Sequence, residues 1–220
     1  MAREILHSKK RKIGILGGTF DPVHLGHLIV AQEAAVQLEL ERVLFVPAGQ
    51  PWQKAHRQVT AAADRAAMVK LAIRSNPLFR LSLVDIERPG PSYSADTVVL
   101  LKDRLGEGVE LYFLCGADSL AELPTWKDPE QLVNSCFVVG CQRPGFLGLD
   151  LEALDKIMPG IAEKTIRLNT PLIDISSGDI RMRGATGKPI RYLVPSSVGK
   201  YIIKHCLYKS ENDFTRALSP

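Results

Sequence analysis

Short apolar runs alternate with helix-patterned segments along residues 12–140, and this alternation restricts the fold more than any other feature. Residues 12–16, 42–47, 79–84, 110–115 and 136–140 read as strands, with Val43-Leu44-Phe45-Val46 an unbroken apolar run. Unbroken runs mark strands buried on both faces, whereas half-exposed strands alternate. Residues 25–38, 60–75 and 94–105 read as helices. In the first of these, Leu25, Leu28, Ile29 and Val36 share a face at helical spacing, with Gln32 interrupting the stripe. Thr60 is placed to cap the second, Asn76-Pro77 to end it, and Gly106 to close the third. Strands separated by helices give an α/β domain: a doubly wound parallel sheet with helices on both faces. Such sheets bind ligands beyond the carboxyl ends of their strands.

The chain has 220 residues, 45% hydrophobic and 24% charged, enough to bury a core without metal or disulfide staples. One domain is expected over residues 12–206, after a basic tail (1–11) and before a C-terminal tail (207–220) for which fraying is the default. No apolar run is long enough to span a bilayer, and the first residues lead into Lys9-Lys10-Arg11-Lys12 rather than an apolar leader. Cys115, Cys136, Cys141 and Cys206 form no C-x-x-C pair; they read as reduced thiols in a cytoplasmic protein. The net charge of +4 fits an enzyme for anionic nucleotides as well as weak nucleic-acid binding.

The densest chemistry lies at Gly17-Gly18-Thr19-Phe20-Asp21-Pro22-Val23-His24-Leu25-Gly26-His27, between the first strand and the first helix. Glycines let backbone approach a phosphate, and a helix start offers unpaired N–H groups and a positive dipole end. The segment lacks the Lys-Ser/Thr of a Walker loop and the G-x-G-x-x-G of dinucleotide binders. It carries instead two histidines three residues apart, on one face of a helix's first turn, with Gly26 leaving room for a ligand. Far downstream stands Ile175-Ser176-Ser177-Gly178-Asp179-Ile180-Arg181, in which Ser177 and Arg181 fall on one face of a short helix.

These two segments resemble the T/H-x-G-H and I-S-S-T-x-I-R signatures of the nucleotidylyltransferase superfamily, with Gly178 replacing the threonine of the second. The resemblance is strongest to bacterial nicotinate mononucleotide adenylyltransferases. It covers the chain to about Cys206 and includes Ser92-Tyr93-Ser94-Ala95-Asp96-Thr97, Gly116-Ala117-Asp118-Ser119 and Trp126-Lys127. Pro51-Trp52-Gln53-Lys54 matches a P-P-H-K-like loop only at its ends.

The resemblance implies a Rossmann-like fold and transfer of the adenylyl group of ATP to nicotinate mononucleotide, with Mg²⁺ arriving on ATP. It gives catalytic roles to His24, His27 and Arg181. It assigns ATP to Gly17, Gly18, Thr19, Phe20, Gly116, Asp118, Ser176 and Ser177, and the mononucleotide to Lys54, Thr97 and Trp126. Backbone N–H groups near Thr97 and Trp126 would meet the pyridine carboxylate. No protein-built metal cage, nucleic acid or membrane is implied, and a homo-oligomer stays open. Ser94 or Asp96 also reads as a helix cap, Asp118 as a strand-end cap and Trp126 as core. The rival activities are transfer to nicotinamide mononucleotide, transfer to phosphopantetheine, and a nucleotide-sensing or nucleic-acid-binding module without turnover.

Overall fold

The computed structural model describes residues 10–52, 58–142, 144–146 and 148–209. Six parallel strands form one sheet in the order β3-β2-β1-β4-β5-β6. They are β1 (Arg11–Gly18), β2 (Arg42–Pro47), β3 (Phe79–Leu81), β4 (Val109–Gly116), β5 (Phe137–Cys141) and β6 (Thr165–Leu168). The helices are α1 (Leu25–Gln37), α2 (Ala62–Ile73), α3 (Val84–Glu87), α4 (Ser94–Leu105), α5 (Ala117–Ala121), α6 (Pro129–Ser135), α7 (Leu151–Ile157), α8 (Ile161–Lys164), α9 (Ser177–Ala185) and α10 (Ser196–Lys204). This is the doubly wound, Rossmann-like architecture that the alternation predicts.

Strand β1 lies between β2 and β4, and its middle is fully buried. Successive side chains leave a strand on opposite faces. Ile13 and Ile15 therefore enter one core with Val98 and Leu101 of α4 and Leu132 of α6. Leu16 enters the other with Ala31 and Ala34 of α1, Met68 of α2 and Val198 of α10. The chain leaving β1 turns to one face, and the chain leaving β4 turns to the other. A crevice opens between their carboxyl ends, at the reversal of strand order.

Several local expectations change. Helix α1 buries Ala31, Ala34 and Ala35, while Val36 stands 65% exposed. The large residues predicted to form its core stripe are displaced because alanines allow closer approach to the sheet. Leu28 packs at the margin of the core, and Ile29 lines the crevice. Gln32, the polar interruption, accepts a hydrogen bond from Asn76 Nδ2 at 2.8 Å. Thr60 does not cap α2; the cap is Ala61, and the Thr60 N–H reaches Asp21 Oδ2 at 3.4 Å. The third predicted strand stops at Leu81, and Val84 begins α3. Residues past Cys206 do not fray at once. Leu207 and Tyr208 pack against the α1–α2 core, so a tail drawn from Leu207 starts too early.

Candidate active site

The crevice is a cleft of about 800 Å³ lined by both sequence signatures. His24 is the residue before α1 and is only 4% exposed. His27 is the third residue of α1, and its Nδ1 accepts the His24 backbone N–H at 3.2 Å. A ring nitrogen that accepts carries no proton, so neutral His27 holds its proton on Nε2 and donates from there. The rings stack with centroids 3.6 Å apart, and Phe20 meets His27 edge-on at 5.0 Å. Gly26 lines the cleft and also gives room to His24: a Cβ there would lie 3.1 Å from His24 Nδ1.

Phe20 has a left-handed backbone (φ 50°), costly for a large side chain and sustained only by its surroundings. Its ring is buried against Phe45. The side chain is therefore a core wedge beneath His27, and Phe20 also borders the cleft. A Cβ on Gly18 would sit 3.3 Å from that ring. Gly17, Thr19, Gly116 and Asp118 also line the cleft.

The second signature is fastened directly to the first. Ser177 Oγ donates to the Pro22 carbonyl at 2.9 Å, across 155 residues of sequence. Arg181 Nη1 donates to the Asp21 carbonyl at 2.7 Å, across 160. Ser176 caps α9, its Oγ accepting the Asp179 N–H at 3.1 Å. The first-turn N–H groups of Ser177 and Gly178 then have no intrahelical acceptor and meet the cleft. A Cβ on Gly178 would find only ordinary contacts, Ser176 Oγ at 3.7 Å and Arg181 Nη2 at 3.9 Å. Nothing in the protein itself requires glycine there.

At the opposite wall, Thr97 and Trp126 line the cleft. The Thr97 N–H is spent on the Tyr93 carbonyl at 3.1 Å, and the Trp126 N–H on the Leu123 carbonyl at 3.0 Å. The N–H groups near Thr97 without an intrahelical acceptor are those of Ser94, Ala95 and Asp96, the first three residues of α4 and the helix start at which donors are expected. Thr97 Oγ1 donates to Asp85 Oδ1 at 2.7 Å, and Arg88 Nε reaches the same oxygen at 3.1 Å. Trp126 meets Phe113 edge-on at 6.1 Å and packs at the margin of the α4–α6 core, so its core and cleft readings hold together. Lys54 lies outside the described residues.

Sequence reasoning missed the groups that fix these loops. Arg65, 1% exposed, donates to the carbonyls of Thr60 (2.8 Å), Thr19 (2.8 Å) and Gly49 (3.3 Å). Burial lowers its pKa from the usual guanidinium value, against an opposing pull from Asp21. Asp21 is itself buried and accepts from the Thr60 N–H and from Tyr208 Oη at 2.9 Å. Gly49 is required sterically: a Cβ would stand 2.2 Å from the Asp85 carbonyl oxygen. Ser92 Oγ accepts the Gly49 N–H at 2.9 Å, tying α4's approach to the loop after β2. Partners brought together from separate loops leave no periodic signal.

Residues 15–183 match the cytidylyltransferase-like family model. The chain belongs to that family. It is 46% identical over 197 residues to a Dehalococcoides mccartyi protein named "Probable nicotinate-nucleotide adenylyltransferase", covering 90% of this chain and 97% of that one. A Thermomicrobium roseum protein of the same name is 44% identical over 209 residues, covering 95% and 97%. In fold it is similar to the Plasmodium falciparum nicotinic acid mononucleotide adenylyltransferase solved with NaAD. The TM-score is 0.73 at 23% identity, over 90% of this chain and 97% of that one. Both family signatures lie within or beside the matched span, and both border the cleft. Among the described residues no helix is long and apolar enough to cross a membrane, and no group of three or more His, Cys, Asp or Glu could hold a metal ion.

Proposed function

We propose that this chain joins nicotinate mononucleotide to the adenylyl group of ATP, giving nicotinate adenine dinucleotide and pyrophosphate. The observation that carries this reading is the junction of the two signatures. Ser177 on Pro22 and Arg181 on Asp21 bring two helix starts and two histidines to one cleft at the strand-order reversal. Relatives 44–46% identical over nearly their whole length support the same chemistry.

The mononucleotide's phosphate oxygen attacks the α-phosphorus of ATP in line. A new P–O bond forms, the α–β bridge breaks, and pyrophosphate carries away the bond's electron pair. Two unit charges ~4 Å apart repel by roughly 4 kcal/mol at an effective dielectric of about 20, and several such pairs meet here. Positioning and charge stabilisation, rather than covalent catalysis, are what such a transfer needs. His27 donates from Nε2 to the α-phosphate, where charge builds. The open N–H groups of Ser177 and Gly178, the α9 dipole and Arg181 receive the β- and γ-phosphates. Glycine at 178 keeps that helix start uncovered.

Mg²⁺ enters as part of the ATP substrate. In the cleft Asp21 is tied to Thr60 and Tyr208, and Asp85 to Thr97 and Arg88. Asp118, in the first turn of α5, lines the same cleft and would suit an ion that keeps most of its ligands as phosphate and water. The setting proposed is cytoplasmic. Burial raises the Cys115 thiol and pushes Cys136 up to about 12, so both stay unreactive as thiols.

The pyridine ring is assigned to Trp126, with its carboxylate at the start of α4. Trp126→Ala is expected to raise the KM for the mononucleotide about tenfold or more, since a lost stacking platform is worth roughly 1–3 kcal/mol. The KM for ATP should stay within about twofold. Equal effects on both substrates in steady-state assays would leave Trp126 with its core role alone.

Acid against amide tests the substrate itself. Ser94, Ala95 and Asp96 offer N–H groups and a positive dipole end, which suit a carboxylate; an amide brings an NH₂ that needs an acceptor. One lost charge-assisted bond is worth about 1.5–3 kcal/mol, so nicotinate mononucleotide should lead in kcat/KM by about 10- to 100-fold. Pyrophosphate release is measured with each acceptor at equal ATP and Mg²⁺. Equal rates or preference for the amide would overturn the acceptor; release with phosphopantetheine alone would overturn the branch.

A further inference from the structure

Past α10 the chain doubles back into the molecule. Cys206 (φ 50°) and Tyr208 (φ 68°) both take left-handed backbone, and this turn carries the Tyr208 ring inward. The ring packs on α9 at Gly184, where a Cβ would lie 3.1 Å from Tyr208 Cβ, so α9 carries its missing side chain at the point of contact. At its far end Tyr208 Oη donates to Asp21 Oδ1 at 2.9 Å, across 187 residues. Burial and the Asp21 carboxylate both raise the Tyr208 pKa, so the hydroxyl stays a donor at any physiological pH.

Asp21 is where the phosphate-facing parts meet. Its carbonyl anchors Arg181, its second carboxylate oxygen holds the Thr60 N–H, and Pro22 beside it anchors Ser177. His24 follows three residues on, as the cap residue before α1. Both oxygens of the Asp21 carboxylate are engaged, one by the Thr60 N–H and the other by Tyr208. We propose that Tyr208 is a positioning residue for adenylyl transfer, holding through Asp21 the segment that anchors Arg181 and leads into the His24–His27 pair. The inference rests on the activity proposed above.

It acts on placement, not on substrate contact, so its loss should appear in kcat. Displacements well under 1 Å at reacting groups lower rates by an order of magnitude or more without weakening ground-state binding. Tyr208→Phe in the full chain keeps the ring and removes the hydroxyl. Its kcat should fall about tenfold, with KM for ATP and for nicotinate mononucleotide each within about twofold. Leu207→Ala trims the same core without touching Asp21, so it should lower Tm with kcat unchanged. Asp21→Asn keeps the Tyr208 ring seated and should also lower kcat. In the Asp21→Asn background, adding Tyr208→Phe should cost little more, and this cycle remains readable if one single variant is poorly stable. A Tyr208→Phe enzyme with wild-type kcat, an equal kcat loss in Leu207→Ala, or full additivity with Asp21→Asn would each overturn the positioning role. Wild-type protein that releases no pyrophosphate with nicotinate mononucleotide would overturn the proposed activity instead, and that arm is read first.

Discussion

His27→Ala is expected to lower kcat by about 10²-fold or more while the protein still folds. The proposed role rests on one atom of the ring. Nδ1 is occupied by the His24 N–H, so the ring presents Nε2–H as its donor. The imidazole is held between the His24 ring and the Phe20 edge, so little reorganisation is left for the reaction itself. A preorganised donor aimed where charge develops is worth about 10²–10³ in rate. Alanine also removes the acceptor that caps α1, a loss of about 1 kcal/mol in stability that could be mistaken for the catalytic effect. Two substitutions separate them. His27→Asn can place an oxygen near Nδ1 and keep the cap, yet does not reach Nε2, so it should be as slow as alanine. His27→Gln reaches the Nε2 position with an N–H and should recover part of the rate. Near-normal kcat in folded His27→Ala or His27→Asn would remove His27 from the transfer step.

Strand β2 and helix α4 were legible to the residue because their signals are local. One is a continuous apolar run, and the other ends at a glycine that takes φ 81°. Strand β6 escaped notice: it is four residues long, sits at the sheet edge and buries little beyond Leu168. The third predicted strand ran too far because Val84 reads as strand by type, while the chain there must coil into α3 to set Asp85 against Thr97 and Gly49. In the site, His24, His27, Ser176, Ser177 and Arg181 were legible through motifs, and the structure brings all five to one cleft. For the pyridine carboxylate a motif names only a segment, and backbone pairing shows which N–H groups near Thr97 and Trp126 are already spent. Arg65, Asp21 and Tyr208 were not legible at all. Their hydrogen bonds link loops up to 187 residues apart, and no spacing rule spans that distance.

Arg65→Met is expected to destabilise the fold by about 3–5 kcal/mol, the usual loss when one partner of a buried charge arrangement is removed. Methionine fills similar volume, so the effect is chiefly electrostatic and hydrogen-bonding rather than a cavity. Three buried carbonyls, those of Thr19, Gly49 and Thr60, lose their guanidinium donor together. Asp21 stays buried without the nearby positive charge whose attraction works against the desolvation of Arg65. Arg65→Lys should not restore stability, because one ammonium cannot span three carbonyls as a planar fork does. Urea unfolding followed by fluorescence gives the measure: the midpoint should fall sharply with the slope unchanged. If the uncompensated Asp21 charge is the larger part of the loss, Asp21→Asn in the Arg65→Met background should return a share of it, although Asp21→Asn alone is destabilising. The same loops carry Thr19 and the approach to α4, so any Arg65→Met protein that remains folded should also bind both substrates more weakly. A loss below about 1 kcal/mol would show that the three carbonyls and Asp21 find other partners, and Arg65 would then be a packing residue; a double variant no more stable than Arg65→Met alone would put the loss on the three carbonyls rather than on Asp21.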